Sequence, residues 1–112
     1  MGYIKHEALV IVAWGYKHPG SFRISAFRDD MPEEYRQYLV GPFDTINGYE
    51  TWCFLPDGSK EGWDTSNEVQ EWRKKLAALC DEIGVTGWSY SYFGGDDEIA
   101  RHVTNDDGAE AI

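Results

Sequence analysis

A chain of 112 residues, 42% hydrophobic and 15% aromatic, can bury one core and is too rich in large apolar side chains to stay disordered. Ten Lys and Arg against 20 Asp and Glu leave a formal charge of −10. That balance repels a polyphosphate backbone, which excludes direct nucleic-acid binding, and it favours solubility and attraction to basic partner surfaces.

Residues 3–14 open the chain with an unbroken apolar run, Ala8-Leu9-Val10-Ile11-Val12-Ala13-Trp14, which predicts a central strand buried on both faces. Gly15, Pro19 and Gly20 end it. Phe22, Ala26, Phe27 and Met31 then return at spacings of three to five, which suits a short helix, although Phe22, Ile24 and Ala26 also fit a strand. A second short helix can begin at Asp30 to Glu33 and run through Tyr35, Tyr38 and Leu39.

Residues 39–46 and 49–55 flank Asn47-Gly48, the dipeptide that supplies two positive φ angles to a type I′ hairpin turn. Gly41-Pro42 marks the first arm as an edge or bulged strand, because proline cannot donate to a ladder. A helix is predicted over 66–83. Thr65 and Glu68 are spaced as a capping box, Val69, Trp72, Leu76, Leu79, Cys80 and Ile83 make an apolar stripe, and Gly84 is a stop. Trp88, Tyr90 and Tyr92 alternate with Ser89 and Ser91 in a last strand over 87–93, which reads as an edge.

The expected architecture is α+β: one domain over residues 1–103, with an acidic, flexible tail over 104–112. A four-stranded antiparallel sheet carries two helices on one face, on the ferredoxin-like βαββαβ plan. That plan puts the first and third strands inside.

The chemistry is mostly exclusion. Cys53 and Cys80 lie in apolar patterns with no CxxC spacing and read as reduced core thiols. His6, His18 and His102 are scattered, so no metal site is expected, and Asp96-Asp97-Glu98 lacks the spacing of a calcium loop. Neither a nucleophile elbow nor a phosphate-cradling glycine pattern occurs, so no catalytic residue and no cofactor is expected. The first residues lack the layout of a secretory signal and the longest apolar run is too short to span a bilayer, which predicts a cytosolic protein without a membrane partner.

Two surfaces remain. The ferredoxin-like plan gathers Lys5, Lys60, Trp63, Thr65, Ser66 and Tyr92, with Tyr3, Phe93, Arg101 and His102 nearby, at one edge of the domain. Free N–H groups at a helix start plus lysine favour an anion, and aromatic rings stack a planar group. A small, nucleotide-like anion combines both. The architectural reading gives the same loop a turn at Asp57-Gly58, a cap at Thr65 and a staple at Trp63. The second surface is Asp29, Asp30, Glu33 and Glu34 beside Tyr35 and Tyr38, a pattern that suits an acidic inhibitor docking on a protein, or a helix start made favourable by negative charge. Pairing of two copies into a homo-oligomer through an edge strand is open.

The opening Met1-Gly2-Tyr3-Ile4-Lys5-His6-Glu7-Ala8, the Asn47-Gly48-Tyr49 hairpin, the loop from Pro56 to Trp63 reading PDGSKEGW and the Gly95-Asp96-Asp97 loop together resemble a group of small acidic proteins encoded by tailed bacteriophages. The resemblance implies a setting, the cytosol of an infected bacterium, where such accessory proteins redirect a host process or blunt a defence. It implies no activity.

Overall fold

The computed structural model describes residues 5–14, 20–60, 62–94 and 100–112. Tyr3, His18 and the Gly95-Asp96-Asp97 loop fall outside them. The elements run β1 (Lys5–Trp14), α1 (Gly20–Asp30), α2 (Glu33–Arg36), β2 (Leu39–Asp44), β3 (Tyr49–Phe54), α3 (Asp64–Ile83), β4 (Gly87–Gly94) and β5 (Arg101–Thr104), with 3₁₀ turns at Ile46–Gly48 and Ala109–Ala111. The fold is α+β with one antiparallel sheet ordered β2-β3-β1-β4-β5. Five strands replace the four expected. β1 and β3 lie inside as anticipated, but β4 is not an edge, because β5 pairs with it from Ser89↔Thr104 to Tyr92↔Arg101.

One face of the sheet is covered. Leu9, Ile11 and Ala13 are fully buried, as are Trp52, Phe54 and Tyr90 in the neighbouring strands. The expectation that β1 is buried on both faces is corrected, since Val10 is 42% exposed: α1 and α3 both pack on the Leu9 side.

α1 forms, with its stripe turned from the one expected. Ile24 and Met31 are buried and Phe27 packs edge-on against Trp72, with centroids 5.6 Å apart, while Phe22 is 79% exposed. Polar clamps set this rotation. Ser21 Oγ accepts from Trp52 Nε1 at 3.0 Å, and Arg28 Nη1 donates to the carbonyls of Leu39 and Gly41, each at 3.1 Å. Gly41 (φ 131) is required there, because a Cβ would lie 2.9 Å from Thr51 O and 3.1 Å from the Trp52 ring. The β2–β3 register shifts between Val40 and Phe43, around Pro42, as an edge strand allows. Asn47 and Gly48 adopt φ of 69° and 78°.

α3 starts two residues earlier than predicted, with Trp63 at the N-cap and no side-chain cap. Thr65 therefore sits in the first turn, and Glu68 accepts a hydrogen bond from Tyr35 OH at 3.1 Å instead of closing a capping box. Its most buried line runs through Val69, Arg73, Leu76, Ala77 and Cys80, with Trp72, Leu79 and Ile83 half-buried beside it. Gly84 ends it in the left-handed conformation at φ 67°.

Thr104 to Ile112, expected as a tail, lie on the domain. Asp81 explains much of this: its carboxylate accepts from Trp88 Nε1 and from Ala109 N, both at 2.9 Å, while Asn105 Oδ1 accepts from Trp88 N at 3.1 Å. Ala109 and Ile112 pack against the core. Cys80 is buried, but Cys53 is only half-buried on the uncovered face, which corrects its reading as a core thiol. Among the described residues, no helix is long and apolar enough to cross a membrane.

Candidate functional site

The antiparallel registers bring the start of β1, the loop after β3, the start of α3, the end of β4 and the start of β5 to one end of the sheet. Two charged residues sit there in otherwise apolar registers. Glu7 precedes Leu9 and Ile11 on the covered face of β1 and is 3% exposed, and Arg73 takes a position in the buried line of α3 and is 1% exposed. A buried charge costs several kcal/mol of desolvation unless it is paired and hydrogen-bonded, so partners are demanded.

Arg73 Nη2 donates to Leu55 O at 2.8 Å and meets Asp57 Oδ1 at 3.4 Å, and its guanidinium lies 4.9 Å from the Phe54 ring centre. Asp57 also accepts from Ser59 Oγ at 2.8 Å. Arg73 Nε is buried without a hydrogen-bond partner among the described residues. Glu7 Oε1 accepts from Tyr90 OH at 3.1 Å, and the Tyr90 and Tyr92 rings lie 5.0 Å apart. Arg101 places its guanidinium 3.9 Å from the Tyr92 ring centre. The result is a polar ladder in two parts, Ser59–Asp57–Arg73 and Glu7–Tyr90–Tyr92–Arg101, on the covered side of the sheet.

Burial, followed by the charge of Glu7, pushes the Tyr90 phenol far above its ordinary range, with Arg73 opposing. Burial and Glu7 raise Tyr92 likewise, against Arg101. Both phenols are therefore neutral donors at physiological pH.

Outside the ladder stand the groups that solvent reaches. Lys60 Nζ lies 5.6 Å from the ring centre of Trp63, and that ring is 54% exposed at the N-cap of α3. Thr65 is exposed in the first turn. Around Arg101 a shallow depression of about 370 Å³ is lined by Ser91, Tyr92, Phe93, Ala100, Arg101 and His102, and His6 stacks on Phe93 at 5.0 Å.

Of the residues the sequence assigned to this edge, Lys60, Trp63 and Thr65 share the accessible start of α3. Lys5 begins β1 opposite Gly94, at the same end of the sheet. Ser66 is buried and offers no surface contact, and Tyr92 is 7% exposed, so it serves mainly as the support under Arg101. Sequence reasoning missed two buried pairs, Asp57 with Arg73 and Glu7 with Tyr90. The available signal was a charge standing in each of two apolar registers.

The acidic surface divides. Asp29, Asp30, Glu33 and Glu34 are exposed, whereas Tyr35 is buried with its hydroxyl on Glu68 and Tyr38 is half-buried. Neither tyrosine is free to anchor a partner as expected. The arginines nearby are occupied: Arg36 donates to Met31 O at 2.9 Å and Asp29 O at 2.8 Å, and Arg28 holds β2.

Compared with family models, with curated proteins and with solved structures, the chain finds no match in any of the three.

Proposed function

We propose that this chain acts by binding and not by catalysis, and that it sequesters a small, anionic, nucleotide-like ligand at the edge carrying Lys60, Trp63, Arg101 and Lys5. The observation that carries this reading is a pair of cation-on-aromatic contacts, Lys60 on Trp63 and Arg101 on Tyr92, both at the end of the sheet where α3 and β5 begin. In a chain of formal charge −10, two cations with no carboxylate ion pair among the described residues form a contrast that attracts an anion. An exposed indole adds a stacking surface, and the first N–H groups of α3 have no side-chain cap. With the bacteriophage resemblance, the reading becomes a non-enzymatic accessory protein that counters host defence or physiology from the host cytosol. We read β1 to β4 with α1 and α3 as a ferredoxin-like core to which β5 is added.

The test is thermal. A ligand at about 100 times its dissociation constant stabilises the folded state by about 2.7 kcal/mol, which shifts the melting temperature of a domain this size by on the order of 10 °C. Melting curves are recorded with a panel of mononucleotides and cyclic oligonucleotides. A shift that disappears in Lys60→Ala and Trp63→Ala supports the reading, and the absence of any shift across the panel sinks it.

A second reading, an acidic, DNA-mimic-like inhibitor of a host enzyme or defence protein, rests on one observation. Asp29, Asp30, Glu33 and Glu34 are exposed with no ion pair among the described residues, because the neighbouring arginines are held by backbone carbonyls. Unpaired charge of one sign steers a basic partner. Co-purification of a host protein that is lost when these four are neutralised, together with a flat ligand panel, selects this reading over the first.

A further inference from the structure

Among the described strand residues, the uncovered face of the sheet carries no formally charged side chain. Following the registers outward from β1, it presents Val40 and Phe43 on β2, Thr51 and Cys53 on β3, and Ala8, Val10 and Val12 on β1. It continues through Gly87, Ser89 and Ser91 on β4 to His102 and Thr104 on β5, with His6 and Phe93 at one end. The charged strand residues Glu7, Glu50, Asp44 and Arg101 share the opposite registers, on the helix side. This inverts the usual pattern, in which the solvated side of an antiparallel sheet takes the charges. It does so in a chain with 27% charged residues.

We propose that this face is covered by a second copy of the chain, stacked sheet to sheet about a two-fold axis running along β1. Three features favour a copy over another protein. First, electrostatics: two molecules of formal charge −10 can approach closely only through surfaces free of charge, and here the strand charges are turned away from the contact. Second, shape. β1 is the middle strand of the five, and on either side of it β3 carries Thr51 and Cys53 level with Gly87 and Ser89 on β4. A two-fold along β1 therefore lays β3 of each copy on β4 of its partner, with Thr51 and Cys53 against Gly87 and Ser89, and β2 on β5, the self-matching that an isologous contact needs.

Third, the edges are closed to strand addition. β2 is broken by the shift at Pro42, and β5 is four residues long. The available area sets the class of contact. Strands about 4.8 Å apart and about 3.4 Å per residue from His6 to Val12 outline roughly 500 Å² per copy. Two copies then bury about 1,000 Å², the lower bound for a specific contact and the size class of weak ones, so association is sought at about 10–100 µM.

Sedimentation equilibrium of the full chain across that range decides the matter. The expected result is a monomer–dimer equilibrium that tightens as salt rises from about 0.01 M to about 1 M, because screening removes repulsion between the copies. Val10→Glu, at the centre of the face, should weaken association by at least about tenfold. Phe43→Asp, on the exposed rim, should do the same and covers the case in which the first variant misfolds. Reaction of the half-buried Cys53 with a maleimide should slow as the dimer forms, with Cys80→Ala as background. A monomer at every concentration and salt, a dimer untouched by both substitutions, or a Cys53 rate independent of concentration would each overturn the proposal.

Discussion

The two faces of the sheet solve opposite problems with the same five strands. The helix side takes in charge: Glu7, Arg73 and Asp57 are desolvated among Phe54, Tyr90 and Leu9, and hydrogen bonds hold them there. The other side keeps uncharged residues in reach of water, with Val10, Phe43 and Phe93 between 42% and 56% exposed. Charge is buried where partners exist within the chain, and apolar surface is left open where none does. The polar ladder is thus an internal device that fixes the end of the sheet, and the open face is the side with something still to bind.

The hardest way to break this comparison is to unpair the ladder. Asp57→Ala leaves the guanidinium of Arg73 buried with one carbonyl as its remaining acceptor, since its Nε is already without a partner. Removing one member of a buried pair costs about 3–5 kcal/mol, so urea unfolding should show a loss of that size. A loss below about 1 kcal/mol would mean that water reaches Arg73, and the contrast between the faces would fail.

Alkaline pH probes the same side without a substitution. Burial, with Asp81 adding, pushes the Cys80 thiol from its ordinary 9.0 up to about 12, and burial raises Tyr90 and Tyr92 as well. The folded state therefore holds protons that the unfolded chain releases. Their contribution is complete below the unfolded values and is lost as pH climbs, so stability should fall steadily between about pH 9 and about pH 12, with Cys80 alone responsible for on the order of 3–4 kcal/mol at the top of the window. Cys80→Ala should flatten the lower part of that fall.

What was legible in the sequence follows what periodicity can encode. Alternation placed Trp88, Tyr90 and Tyr92 on one side of a strand, and a 3.6-residue repeat located α3, because burial on one side imprints both patterns. β5 was illegible: Arg101-His102-Val103-Thr104 offers one buried apolar residue, Val103, and is a strand because β4 is there to pair with. The run from Ala8 to Trp14 was legible as a strand but not as a half-covered one, since an apolar residue reads the same whether a helix or water lies above it. At the candidate site, chain proximity was enough to put Lys60 and Trp63 together before α3, while the ladder depends on long-range pairs such as Glu7 with Tyr90 that no local pattern contains.

The smallest expected effect is the most discriminating. Leu9 and Val10 are adjacent in β1 and equally apolar, yet one is fully buried and the other 42% exposed. Leu9→Ala should cost about 2–5 kcal/mol at any protein concentration, because it opens a cavity in the core. Val10→Ala removes methyl groups that the monomer leaves partly in water, so in dilute solution the loss should stay below about 1 kcal/mol. The two should differ in a second respect. If a partner copy covers the open face, the cost of Val10→Ala must grow with concentration as dimer forms, since stability is then linked to association by mass action, whereas the cost of Leu9→Ala must not. Denaturation of both variants at low and high concentration reads the difference directly, and a Val10→Ala cost that never changes would leave the open face a solvated surface and no more.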